Sequence, residues 1–197
     1  DNILVGNAED KDIGTGTTIL IPPTGSTAAA KERGGAPGTR EVGALNPYNL
    51  VDTIDAIVLS GGSACGLEAA SSAANFIGKS GRGFKTSENI KNVPMVPAAI
   101  LFDLSNGGNK DWGDTPPYNK LGIEATSNAS IKFKLGNTGA GYGAKAGSLK
   151  GGLGSASFEN AEGLKVGGLF AVNSFGSVVN SETGQFWAAS DELNNEF

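Results

Sequence analysis

The sequence predicts a layered domain that mixes strands and helices, of the α/β or α+β class. Three observations carry this. Apolar, β-branched runs of strand length recur at residues 16–22, 54–60, 96–104 and 164–173. One of them leads through a Gly-Gly pair into small residues at helical spacing. No internal repeat and no linker interrupts the 197 residues, which read as one domain, 1–197.

Taken in order, Gly16-Thr-Thr-Ile-Leu-Ile-Pro22 is a strand closed by a proline, which has no N–H to donate to a ladder. Residues 24–41 are small and polar around Gly34-Gly-Ala-Pro-Gly38 and predict a long loop. Ile54 to Ser60 is apolar on both faces, as a buried strand is, and runs into Gly61-Gly62. Ser63 then suits a helix N-cap. Leu67, Ala70, Ala74 and Ile77 follow at helical spacing, and Gly78 is placed as the stop. Val96 to Leu104 predicts another buried strand, 105–118 a Gly/Asn/Pro-rich loop, and 118–129 a short helix. Leu164 to Asn173 and Gly176 to Asn180 predict two strands joined through 173–176. The tail after Trp187 is polar, ends Asp191-Glu-Leu-Asn-Asn-Glu-Phe197, and reads as a connector to a segment outside this chain.

Composition removes several function classes. A formal net charge of -5 argues against a nucleic-acid partner or an anionic membrane. No apolar run approaches the ~20 residues that cross a bilayer. No signal peptide is visible and the chain starts at Asp1 without a methionine, which leaves the true N-terminus open. A single cysteine without a signal peptide fits the cytoplasm, with the periplasm as the alternative. There is no histidine, so a Ser-His-Asp triad, a Cys-His dyad and a His-rich zinc site are all impossible within this chain. With Cys65 alone there is neither an internal disulfide nor a Cys-rich metal site, and no metal or cofactor is expected.

The candidate residues sit around glycines. Gly61-Gly-Ser-Ala-Cys-Gly66 lies where a buried strand meets a helix, where backbone N–H groups favour developing negative charge. The plainer reading is a tight turn whose glycines allow close packing. Cys65 reads as a small buried residue, since no imidazole is present to activate it. Gly136-Asn-Thr-Gly-Ala-Gly-Tyr-Gly-Ala-Lys-Ala-Gly147 lacks the Lys-Ser/Thr ending of a P-loop and a preceding strand, so nucleotide binding is not expected. Lys150, at the edge of that region, either stabilises charge at a site or is solvated surface. Asn173, between an apolar strand and a turn, either donates its amide to an oxyanion or serves the turn.

Several runs in series are more specific. They are Arg33-Gly-Gly-Ala-Pro-Gly-Thr-Arg-Glu41, residues 56–70 with Ser-Gly-Gly-Ser-Ala-Cys-Gly at their centre, Val96-Pro-Ala-Ala-Ile-Leu-Phe-Asp103, Gly136 to Gly143, Lys150-Gly-Gly-Leu-Gly-Ser-Ala-Ser157 and Val166 to Asn173. In this order they resemble the family of the DmpA-type L-aminopeptidase/D-esterase, the β-peptidyl aminopeptidases and the nylon-oligomer endo-hydrolase. The resemblance implies an α+β fold, the four-layer αββα sandwich of the DmpA/ornithine acetyltransferase type that is like N-terminal-nucleophile hydrolases. It implies a precursor that cuts itself, the new N-terminal Ser or Thr of a small β fragment becoming the nucleophile. This chain would be the larger α fragment, ending at or just before the cut after Phe197, with the β chain as partner, αβ units assembling further, and a small peptide or amide as substrate. A nucleophile that carries its own α-amine needs no histidine as base.

Carried over position by position, the resemblance makes Asn173 the oxyanion donor and either Lys150 or Lys145 the lysine near the nucleophile. Ser63, Ile100, Phe102 and Asp103 would shape the substrate pocket. Phe102 stands where several relatives have a tyrosine, and Ile100 where aminopeptidase members carry a glutamate that holds the substrate's free amine. Without that carboxylate an acyl or internal amide substrate is favoured, because a buried charge needs a partner. The alternatives are acyl transfer on the same scaffold, as in ornithine acetyltransferase-like relatives, and a binding protein that has lost the activity.

Overall fold

A computed structural model of the chain describes residues 2–192. Its centre is a five-stranded sheet. The chain begins with β1 (Leu4–Asp10) and β2 (Thr15–Ile21), an antiparallel hairpin paired over seven residues each way. It continues with β3 (Thr39–Arg40), β4 (Ile57–Ser60), helix α1 (Glu68–Gly78), β5 (Ala98–Ile100) and helix α2 (Tyr118–Ser127). The strand order is β1-β2-β4-β5-β3. Only the central β4–β5 pair is parallel, because α1 carries the chain back between them; β2–β4 and β3–β5 are antiparallel.

Both helices cover one face. Ile19, Val58 and Ala98 from the sheet meet Ala69, Ala70, Ala73, Ala74 and Ile77 of α1, and Tyr118, Leu121 and Ala125 of α2. The alanines of α1 keep its surface shallow, so α2 can close directly on it. At the contact stands Gly122, where an added Cβ would lie 2.3 Å from the carbonyl oxygen of Ala69. The other face carries a second layer. The turn at Gly139–Gly141 lies across β2 so tightly that a Cβ on Gly16 would come within 2.2 Å of the Gly139 carbonyl oxygen. Polar groups fix it there: the Ala140 N–H donates to the Thr18 hydroxyl at 2.9 Å and the Gly139 N–H to Glu9 at 2.8 Å. Beyond it lie the short ribbon of β6 (Lys145–Ala146) and β7 (Leu149–Lys150), and the hairpin of β8 (Leu153–Glu159) and β9 (Lys165–Ala171). Leu101, Ala140 and Ala144 are buried there, with Leu59 and Ala171 against them.

The mixed layering is the expected α+β class, and strands at 15–21, 57–60 and 165–171 and helices at 68–78 and 118–127 stand where the sequence places them. Several expectations are corrected. The predicted strand 96–104 shrinks to Ala98–Ile100. The Val96 N–H turns away to Glu41 and Pro97 has none; at the other end the Leu101 N–H makes the last ladder bond to Ser60 of β4, and the Phe102 N–H goes to the Asn173 side chain. Ser63 is not a helix cap; it opens a 3₁₀ turn over Ser63–Leu67 that runs into α1. Gly78 is not the left-handed stop. Helical backbone continues into Lys79, and the left-handed residue is Gly81 (φ 83), whose N–H bonds the Gly78 carbonyl at 3.1 Å. Residues 176–180 form no strand with β9. Val179 bridges Phe186 and the Trp187 N–H reaches the Val178 carbonyl at 3.0 Å, so the segment folds on itself, and β9 pairs with β8. Cys65 is exposed, because the turn directs Gly66, not Cys65, inward. The sequence reading passed over β1 and β8. The predicted connector extends to Phe197, and its last five residues lie outside the described ones.

Candidate active site

Two parallel strands end side by side at Ser60 and Ile100, and their chains then part. In open α/β sheets the carboxyl ends of parallel strands are where a ligand crevice forms. After β4 the chain turns through Gly61 and Gly62. A Cβ on Gly61 would lie 1.9 Å from the Asp103 carboxylate, and one on Gly62 2.0 Å from the Tyr118 ring, so only glycine fits either position. Gly62 (φ 87) and Ser63 (φ 54) are both left-handed. For serine this conformation costs about 1 kcal/mol or more, and it persists only where the surroundings hold it. Here the Ser63 N–H is held by the Leu101 carbonyl at 3.1 Å, and the Leu101 N–H by the Ser60 carbonyl at 2.8 Å.

Asp103 is the hidden support of this turn. It is 2% exposed. One carboxylate oxygen accepts the Gly62 N–H at 2.7 Å and the other the Thr15 hydroxyl at 2.6 Å. Burial pushes its pKa above the ordinary value of 3.8, while the Thr15 and Gly62 bonds and the Lys110 charge pull it back. Burial lowers the Lys110 pKa against the attraction of Asp103 and Asp10, and burial raises that of Tyr118, whose hydroxyl lies 3.4 Å from Thr15. Asp103 is therefore buried beneath the Gly61–Ser63 turn, both oxygens engaged.

Asn173 reaches the same place from the end of β9. Its Oδ1 accepts the N–H of Phe102 at 2.9 Å. A backbone N–H can only donate, so this bond fixes which end of the amide is oxygen and turns the Nδ2 hydrogens outward. No described residue accepts from them. The next residue is pinned as well: the Ser174 hydroxyl donates to the Lys145 carbonyl at 3.0 Å. Ile100, half-buried, and Phe102, 54% exposed, form an apolar wall beside this amide.

The two candidate lysines stand directly opposite one another in the β6–β7 ribbon, Lys145 against Lys150. Opposed residues of an antiparallel pair share a face, and both lysines line one cavity of about 490 Å³ together with Lys11 and Asp12. Hydrogen bonds thus tie Asn173 to Phe102, Ser63 to the neighbouring Leu101, and the lysine ribbon to Ser174 beside Asn173. The sequence reading picked out the Gly61–Gly66 run but did not single out Thr15 as part of the site. Thr15 lies 88 residues from Asp103, and nothing local signals their pairing. Among the described residues no three His, Cys, Asp or Glu side chains gather where they could hold a metal ion, and no helix is long and apolar enough to cross a membrane.

Comparison with known proteins shows the family and the fold. The sequence profile of Peptidase family S58 matches residues 1–194. The chain is 42% identical over 182 residues to an uncharacterized aminopeptidase of Mycobacterium bovis, covering 92% of this chain and 51% of that protein. To an uncharacterized aminopeptidase of Mycobacterium leprae it is 40% identical over 187 residues, covering 92% and 50%. The chain thus spans about half the length of the curated relatives it matches. Among solved structures it is similar to a β-aminopeptidase of Burkholderia sp. (TM-score 0.65, 21% identity, 90% of this chain and 51% of that one). It is also similar to the L-aminopeptidase D-Ala-esterase/amidase of Ochrobactrum anthropi, described as a variant of the Ntn hydrolase fold (TM-score 0.63, 18% identity, 90% and 52%). At these identities the likeness speaks for the fold.

Proposed function

The chain belongs to peptidase family S58, and from that premise we propose that it is the larger part of a self-processed amide- or peptide-bond hydrolase. Its nucleophile is the N-terminal Ser or Thr of a second fragment of the same precursor. The observation that carries the reading is the tethered, exposed Asn173 amide, whose oxygen is occupied by the Phe102 N–H and whose nitrogen is left to donate. In the reaction the hydroxyl oxygen attacks the scissile carbonyl while the nucleophile's own α-amine takes the hydroxyl proton. A free α-amine has a reference pKa of ~7.7–8.0, close to neutral, as a general base requires. The carbonyl oxygen gathers negative charge in the tetrahedral intermediate and receives the Asn173 Nδ2–H. The leaving amine departs with the proton, and water then hydrolyses the ester formed with the nucleophile. Lys145 or Lys150 adds positive charge near that centre.

Substrate preference follows from the wall. Ile100 and Phe102 are apolar, and the neighbouring carboxylate, Asp103, is buried with both oxygens engaged. Among the described residues no free carboxylate stands beside Ile100 and Phe102 to pair with a substrate's free amine, which favours acyl and internal amides. The β8–β9 hairpin supports the missing second fragment. Phe158, Val166, Phe170 and Val172 are each more than half exposed, a continuous apolar surface of the kind that a partner covers. A two-stranded hairpin is itself marginal without such cover. The same need for cover favours further assembly of the paired units.

The test is intact-mass measurement and N-terminal sequencing of the purified full-length product, with amide hydrolysis followed in parallel. Two polypeptides are expected, the smaller beginning with Ser or Thr. Hydrolysis by a single uncut polypeptide would refute the mechanism.

A further inference from the structure

Another cavity lies away from the candidate active site. Helix α1 runs back along the sheet from Ser63, so its C-terminal end stands at the opposite end of β4 and β5 from the candidate active site. There a cavity of about 690 Å³ opens between Arg40, the last turns of α1 and residues 91–94. That volume is within the ~300–1,000 Å³ of small-molecule sites. Three of its lining residues are cationic, Arg40, Lys79 and Lys91, and none is acidic. Arg40 is partly neutralised by Glu41 at 3.1 Å. Its other terminal nitrogen donates to the Ser71 hydroxyl, which leaves the Ser71 O–H to donate in turn. Its Nε–H is buried with no acceptor, a donor that the protein itself leaves unused.

Lys79 and Lys91 have no described carboxylate partner; Lys79 is held over the Phe76 ring, 5.7 Å from its centre, which leaves its charge intact. The C-terminus of α1 opposes an anion with only about half a unit of negative charge. Its last carbonyls are already engaged by Lys79, Ser80 and Gly81 N–H groups. Two uncompensated ammonium charges outweigh that. The floor is different in kind: Ala74 and Pro94 are apolar. A doubly charged head with an organic body matches both halves.

We infer that this cavity binds a small organic phosphate monoester, its phosphate between Lys79, Lys91 and the Ser71 hydroxyl and its body over Ala74 and Pro94. The site is independent of the hydrolytic crevice and does not rest on the reading of that crevice.

The test uses the full-length protein at constant ionic strength, with phenyl phosphate, inorganic phosphate and phenol as probes in calorimetric titrations. Saturable binding of phenyl phosphate is expected, tighter than inorganic phosphate, with none for phenol. The Lys79→Gln/Lys91→Gln double variant should bind about tenfold more weakly or worse, since each charge-assisted contact contributes on the order of a few-fold to tenfold. Lys120→Gln, a charge change on the exposed face of α2, should leave binding unchanged. Undiminished binding by the double variant, equal loss in Lys120→Gln, or no saturable binding of phenyl phosphate would overturn the site. Inorganic phosphate binding as tightly as phenyl phosphate would overturn the organic body.

Discussion

Asp103 offers a test in which removing a carboxylate and removing only its charge have different consequences. Asp103→Ala leaves the Gly62 N–H and the Thr15 hydroxyl without their acceptors, at 2.7 and 2.6 Å, in a buried place. One buried unsatisfied group costs about 1–3 kcal/mol, so a loss of about 3–5 kcal/mol is expected. Asp103→Asn is different. Its Oδ1 can still accept from Gly62, and its amide can donate to the Thr15 oxygen. It also removes the burial penalty of a charge, so near neutral pH it should lie within about 1 kcal/mol of the parent. The pH dependence has a definite sign. Burial raises the folded-state pKa of Asp103 above the ordinary 3.8. The folded state then holds more protons than the unfolded one between the two values. The parent therefore loses stability from this group as pH rises from about 3.8 through the folded pKa. Asp103→Asn lacks that loss and should gain on the parent over the same window. Urea unfolding of the full-length protein at a series of pH values measures all three quantities. If Asp103→Asn proved as damaging as Asp103→Ala at every pH, or fell behind the parent as pH rose, the account of a desolvated turn support would be refuted.

Asn173→Ala and Asn173→Asp should each lower kcat for amide hydrolysis by ~100- to 1,000-fold. In Asn173→Asp the new carboxylate can still accept the Phe102 N–H, so stability should stay near the parent's; a variant retaining parental kcat would remove Asn173 from the reaction. Gly16→Ala drives a Cβ into the Gly139 carbonyl at 2.2 Å, backbone against backbone. It should destabilise by more than about 2 kcal/mol, read by denaturant unfolding, whereas an unchanged midpoint would mean that the second layer is not seated on β2. Lys145→Gln and Lys150→Gln each relieve repulsion between opposed like charges, so stability should hold or rise slightly. The lysine nearer the nucleophile is identified by which change lowers kcat, and parental rates for both would exclude the pair from catalysis.

Much of this was legible locally. The β-branched run at 16–22, the buried run at 54–60 and the small-residue helix after it are dictated by composition and period. Asn173 could be picked out by its place at a strand end, and its likeness to an oxyanion residue gave it a role to test. The sequence could also exclude imidazole and disulfide chemistry outright, since no arrangement of a chain creates residues that it lacks.

What the tertiary structure decided depends on pairings that no local pattern records. β1 and β8 carry too many polar and small residues to announce themselves; they are strands because β2 and β9 supply their ladders. The strand expected to Leu104 ends at Ile100: after the last ladder bond, from Leu101 to Ser60, the Phe102 N–H is taken by a side chain distant in sequence, Asn173. Cys65 faces outward because a left-handed serine before it sets the turn. Asp103, which the sequence presents as one more pocket carboxylate, is buried under that turn by Thr15 and Gly62. The physical reason is common to all of them. Hydrophobic period and turn chemistry act over a few residues, whereas the satisfaction of a buried polar group depends on whichever segments the completed fold brings within hydrogen-bonding distance.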